Sequence, residues 1–225
     1  MKRTFAVLAL TSLLATATFA EPSAGEIAYQ AGNYQEAVKL LDPAAKEGDA
    51  NANYLLGLMY YRGLGVNPDA DSAEAYLRAA ANANYAKAQA QLGDLYFNQN
   101  TRNGFSKALE WYQKAAQQND GQGQYGLAYM YFYGQGVAKD IPTAWGWYQK
   151  AAANGYSEAM LQLGYLYDTG IGTKADAKIA ADWYQKAIAA GNVTAKYNLA
   201  LMYLEGEGVK KDQAKAMRLL EEGAQ

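Results

Sequence analysis

The chain has no cysteine and no histidine, and only 4 prolines in 225 residues. Its 20 basic and 22 acidic side chains leave a formal charge of −2. The missing cysteine excludes disulfides, thiolate metal sites and cysteine nucleophiles. The missing histidine removes the commonest general base and the commonest transition-metal ligand, so neither a cofactor nor a metal is expected. Near-neutrality gives no electrostatic reason to approach nucleic acid or an anionic membrane. The apolar stretch from Phe5 to Leu14 is too short for a bilayer, which takes roughly 20 residues. In abundance are apolar residues, 51% by count, with 22 Gly and 20 Tyr.

Residues 1–20 have the layout of a secretory signal peptide: Lys2 and Arg3, the apolar stretch, then small residues ending at Ala20. Cleavage after Ala20 is expected, with Ala15-Thr16-Ala17 as the alternative site. It leaves 18 basic against 22 acidic groups and an exported chain, periplasmic or secreted, with no membrane insertion after signal removal.

The remainder repeats one pattern. Leu56-Gly57, Leu92-Gly93, Leu127-Ala128, Leu163-Gly164 and Leu199-Ala200 recur about every 36 residues. Three residues after each Gly or Ala stands Tyr60, Tyr96, Tyr131, Tyr167 or Tyr203; further on come Tyr76, Trp111, Trp147, Trp183 and Leu219. A Gly-x-Gly separates the halves at Gly63, Gly134, Gly170 and Gly206, but the second copy reads Asn98 to Gly104 instead. Apolar spacing makes each half a helix. The glycine enters the left-handed conformation that ends the first, and Asp69, Asp140, Asp176 or Asp212 caps the second. Pro68 and Pro142 fall near that boundary, where proline is tolerated.

Ala-x-Ala-x-x-x-Leu-Gly-x-x-Tyr-x-x-Gly-x-Gly-Val, then Asp, then Ala-x-x-Trp-Tyr-x-x-Ala-Ala, resembles the Sel-one-like repeat (SLR) of the tetratricopeptide superfamily. The resemblance implies an all-α fold: a right-handed α-solenoid of antiparallel helix pairs. After the signal peptide at 1–20, residues 21–48 read as a tetratricopeptide-like helix pair. Five repeats follow at 49–84, 85–120, 121–155, 156–191 and 192–225, the second with its atypical turn.

Little in the pattern carries catalysis. The Gly-x-Gly follows a helix, whereas a dinucleotide fingerprint follows a strand. The acidic groups around Asp69 and Glu205 lack the spacing of a calcium loop and read as caps and solvated charge. Glu110 with Lys114 and Asp182 with Lys186 read as i,i+4 surface pairs. Some cysteine-rich members of the resembled family are linked to β-lactams, but no Ser-x-x-Lys occurs here. Trp111, Trp147 and Trp183 are expected in the core, and the reading is not an enzyme.

The functional signal lies where the repeat requires nothing. With the Gly57 position as zero, positions −3, +1 and +4 fall within about 60° of one another, opposite the Leu and Tyr of the first helix. They include Tyr54 and Tyr61; Asp94 and Phe97; Tyr125, Tyr129 and Phe132; Tyr165 and Asp168; and Tyr197. First helices line the concave surface in the resembled superfamily. These residues then form an aromatic strip, edged by Gln124, Gln162 and Lys196, that suits a protein or peptide partner in the cell envelope. The competing reading is that the rings pack repeat to repeat. Alternatives for the chain are a peptidoglycan- or carbohydrate-binding module or, more weakly, a cell-wall or β-lactam hydrolase.

Overall fold

Local signals, repeated in four of the five copies, set the helix ends. The computed structural model describes residues 21–224, so the signal peptide expected over residues 1–20 lies outside the described residues. Twelve helices occur among them. They are α1 (Ala24–Gln30), α2 (Tyr34–Lys46), α3 (Ala50–Arg62), α4 (Ala70–Asn82), α5 (Ala86–Phe97), α6 (Arg102–Gln117), α7 (Gly121–Tyr133), α8 (Ile141–Ala153), α9 (Ser157–Thr169), α10 (Ala177–Ala189), α11 (Thr194–Glu205) and α12 (Gln213–Gly223). Each packs mainly on its chain neighbours, which makes an all-α solenoid of helix pairs.

Asp69, Asp140, Asp176 and Asp212 cap α4, α8, α10 and α12, each carboxylate accepting from N–H groups of the first turn. Their own N–H groups donate back to the carbonyls of Tyr60, Tyr131, Tyr167 and Tyr203, locking each turn onto its first helix. Gly63, Gly134, Gly170 and Gly206 end the first helices at φ between 70° and 79°. The second glycine of the turn also meets the preceding repeat. A Cβ on Gly208 would stand 2.2 Å from the Ala177 carbonyl oxygen, and one on Gly172 2.7 Å from Ile141 Cγ2. The atypical second copy manages with Asn100 at φ 50° and with Thr101, whose hydroxyl accepts from Gly104 N–H.

Between the helices the core is largely alanine: Ala73, Ala80, Ala108, Ala115, Ala144, Ala151, Ala180 and Ala187 are fully buried. Such small residues let helices approach closely and leave room for one large side chain per repeat, a ring in the second, third and fourth copies. That ring is not the tryptophan. Tyr112, Tyr148 and Tyr184, the next residue in each copy, are 3%, 0% and 1% exposed, while Trp111, Trp147 and Trp183 are half-buried at the edge of the stack. The expectation of core tryptophans is corrected accordingly: one step along a helix turns the side chain by about 100°, and the tyrosine is the one aimed between helices.

Lys114, Lys150 and Lys186 lie over the indoles at 4.0, 3.9 and 4.1 Å. The pairs Glu110–Lys114 and Asp182–Lys186 are absent among the described residues, the ion pairs being Glu36–Lys39, Asp42–Lys46, Glu74–Arg78 and Lys196–Glu222. An indole face holds an exposed ammonium at least as well as a solvated carboxylate.

A ladder of buried amides joins successive repeats. Asn53, Gln89 and Gln124 donate to the carbonyls of Ala45, Ala81 and Ala116 at 3.0, 3.2 and 3.4 Å, adding a second donor to carbonyls that already accept a backbone N–H at the ends of α2, α4 and α6. Gln124 is therefore interior, 1% exposed, and not the edge of a groove. Lys196 likewise turns to the Glu222 carbonyl and carboxylate.

Candidate docking face

First helices are apolar nearly all round because they meet neighbours on both flanks. Against the middle of the stack α5 lies on α4, α6 and α7, and α7 on α5, α6 and α8. The −3, +1 and +4 positions are thus partly roofed by the next repeat, and only some of their rings reach solvent.

Six of the ten expected residues come together. Asp94 and Phe97 of α5 and Tyr125 and Tyr129 of α7 line a cleft of about 210 Å³ with Tyr112, Gln122, Gly126 and Tyr156. Tyr54 and Tyr61 of α3 join Asp94 and Phe97 around an adjoining, more open cleft of about 480 Å³, which Arg62 also lines. Phe97 meets Tyr129 edge-on with centroids 5.5 Å apart, and Tyr125 touches both Tyr129 and Tyr156 at 6.4 and 5.2 Å.

Four residues stand elsewhere. Phe132 is 7% exposed and packs on Tyr148 and against Tyr133, so it lies beneath the strip as core and not on it. The ring next to it, Tyr133, takes the outer place at 52% exposure and lies against Tyr129, tilted, at 4.4 Å. Tyr165 and Asp168 are exposed farther along α9, outside both clefts. Tyr197 is exposed against the terminal helix, in a separate apolar recess with Val193, Leu219 and Leu220.

The floor of the smaller cleft is a hydrogen-bonded carboxylate. Asp94 Oδ1 accepts from the Tyr112 hydroxyl and Oδ2 from Gln122 Nε2, both at 2.6 Å. Tyr112 reaches Asp94 from α6 because its ring slides between two glycines. A Cβ on Gly93 or on Gly126 would stand 2.4 or 2.5 Å from it. Burial pushes the Asp94 carboxyl above the usual carboxylate range. The two donors oppose that rise and Asp120 adds to it. Burial, then the Asp94 charge, raises Tyr112 far above an ordinary phenol. Tyr125 is pushed up to about 12, by burial first and Glu158 second; Tyr54 also reaches about 12, through burial and then Tyr85. Tyr148, in the position equivalent to Tyr112, has a buried hydroxyl with no protein partner.

The sequence reading missed Tyr112, Gln122, Tyr85 and Tyr156. Tyr112 sits inside the repeat consensus and offered no signal. Tyr85 and Tyr156 did offer one: they occupy the N-cap positions of α5 and α9, where α3 and α7 have Asp49 and Asp120. Those aspartates accept first-turn N–H groups and the tyrosines do not, which forgoes about 1 kcal/mol per helix. Tyr85 instead stacks on Tyr54 at 5.3 Å and donates to Asn51.

The chain matches the family model described as Sel1 repeat over residues 25–49, 50–85, 86–120, 121–156, 157–192 and 193–225. No curated protein matches it. Among solved structures it is similar to a Sel1 repeat protein from Oxalobacter formigenes, at 33% identity and TM-score 0.78, over 89% of this chain and 82% of that one. A protective antigen of uropathogenic Escherichia coli with an SLR fold is also 33% identical, with TM-score 0.70 over 88% of this chain; the match spans 44% of the antigen. An immunity protein from Pseudomonas aeruginosa shares the fold at 18% identity and TM-score 0.67, over 88% and 80% of the two chains.

Proposed function

Because the chain belongs to the Sel1 repeat family, we propose that it is a non-catalytic scaffold that docks a protein or peptide partner across the first helices of its central repeats. The observation that carries the reading is the convergence of Tyr54, Tyr61, Asp94, Phe97, Tyr125 and Tyr129, from three successive repeats, on two adjoining clefts that share Asp94 and Phe97. The repeat consensus requires none of these residues. Rigid aromatic side chains give broad contact area at little entropy cost, and a carboxylate among them fixes orientation. The N-cap positions given over to tyrosine point the same way, since stability is forgone there for Tyr156, which lines both clefts, and for Tyr85, which supports Tyr54.

A concave placement of this face is supported at α5 and α7, which pack directly on each other while the second helices α6 and α8 have no comparable contact. The signal-peptide layout of residues 1–20 supports an exported setting, in the periplasm or outside the cell.

Affinity capture from a native envelope fraction tests the proposal. Tyr61→Ala with Tyr129→Ala should reduce recovery of the partner at least tenfold while the melting temperature stays within a few degrees. Undiminished recovery, or retention on purified peptidoglycan in place of a protein, would overturn it.

A further inference from the structure

The smaller cleft has a charge without a counter-charge. Asp94 is held by two neutral donors, the Tyr112 hydroxyl and the Gln122 amide. A carboxylate offers about four acceptor sites, so roughly half its capacity is free. None of the ion pairs among the described residues includes Asp94. The other charges acting on this group of rings, Asp120 and Glu158, are acidic as well. Arg62 shares the adjoining, more open cleft with Asp94 but forms no ion pair with it and does not line the smaller one. The walls are ring faces and edges: Phe97, Tyr112, Tyr125, Tyr129 and Tyr156.

We propose that this cleft takes the cationic side chain of a lysine or arginine on the docked protein partner, with Asp94 as its counter-ion and the surrounding rings as its cage. The inference rests on the docking reading above and names the chemistry of one subsite within it.

The ammonium or guanidinium donates to the unused lone pairs of Asp94, and the alkyl stem lies against Phe97 and Tyr129. The electron-rich ring faces attract the cation further. A partner covering this face removes the remaining water from Asp94. A neutral or acidic side chain at that point would leave a buried carboxylate unpaired, so the same group that attracts a cation rejects other side chains. A bare metal ion is a poorer occupant, because no cluster of three metal-binding side chains exists among the described residues. The opening of about 210 Å³ suits one extended side chain and not a folded loop.

Titration of the full chain by NMR with N-acetyl-lysinamide, N-acetyl-argininamide and the neutral isostere N-acetyl-norleucinamide tests the subsite. A cationic probe should shift the Gln122 side-chain amide with a dissociation constant at least tenfold below that of the norleucine probe. Asp94→Asn, with its fold checked by circular dichroism, should abolish the difference. Equal response to the three probes, or a preference that survives Asp94→Asn, overturns the inference.

Peptides selected from a random displayed library separate the two levels of the argument. Peptides lost on Tyr61→Ala with Tyr129→Ala that carry lysine or arginine at a fixed position, and that Asp94→Asn releases, support both. If such peptides lack a fixed basic residue, the cation subsite falls and the docking face stands. If no selected peptide depends on the two tyrosines, both fall.

Discussion

Tyr112 and Tyr148 hold the same position in successive second helices, yet removing the hydroxyl from each should shift stability in opposite directions. The Tyr112 hydroxyl donates to Asp94 at 2.6 Å, and a bond to a charged acceptor is worth about 1.5–3 kcal/mol. In Tyr112→Phe the ring stays wedged between Gly93 and Gly126, so packing is conserved and the loss is that bond, about 2 kcal/mol at neutral pH. The Tyr148 hydroxyl is buried without a protein partner, and burying an unpaired hydroxyl costs about 1–3 kcal/mol in protein interiors. Tyr148→Phe should therefore gain about 1 kcal/mol. For a chain of this size each kcal/mol moves the melting temperature by about 2–4 °C, giving a fall of about 4–8 °C for Tyr112→Phe and a rise of about 2–4 °C for Tyr148→Phe. Urea unfolding followed by far-ultraviolet circular dichroism measures both. An unchanged m-value is required, because a stack of repeats can also open in parts. If Tyr148→Phe destabilises as much as Tyr112→Phe, the hydrogen-bond assignment at this position is wrong.

The remaining predictions use neighbouring features. Burial raises Asp94 in the fold, so its contribution to stability is full below a pH of about 4 and is lost as pH rises through the raised folded value. Asp94→Asn removes that dependence, and its melting temperature relative to the parent should climb across the same window and then level off in a pH series of thermal melts. Tyr148→Ala should cost about 3–5 kcal/mol in urea unfolding and Trp147→Ala only about 1–3, since the indole is half-exposed; equal losses would contradict the burial described. Gly208 and Gly155 both have φ above +60°, but only Gly208 faces a carbonyl. Gly155→Ala should cost about 1–2 kcal/mol from backbone strain alone, and Gly208→Ala clearly more in the same assay.

Helix phase is what the sequence pattern leaves open. The first helices show apolar side chains around nearly their whole circumference, so periodicity names no single inner face for them. Phe132 and Tyr133 are adjacent aromatics, and nothing local says which goes under. Packing on Tyr148 decides it, burying Phe132 and leaving Tyr133 against Tyr129. Tyr85 and Tyr156 were legible in principle, as departures from an aspartate cap shared by other copies.

The sequence by itself determined the repeat period, the helix pairs and their ends. Left-handed glycines, aspartate caps and apolar spacing act over a few residues and need no neighbour to be read. The tertiary stack decided which of Trp and Tyr fills each repeat, which amides close the helix ends and which rings meet around Asp94. Those outcomes depend on a second surface pressing from the adjoining pair, and a side chain's burial is a property of both surfaces together.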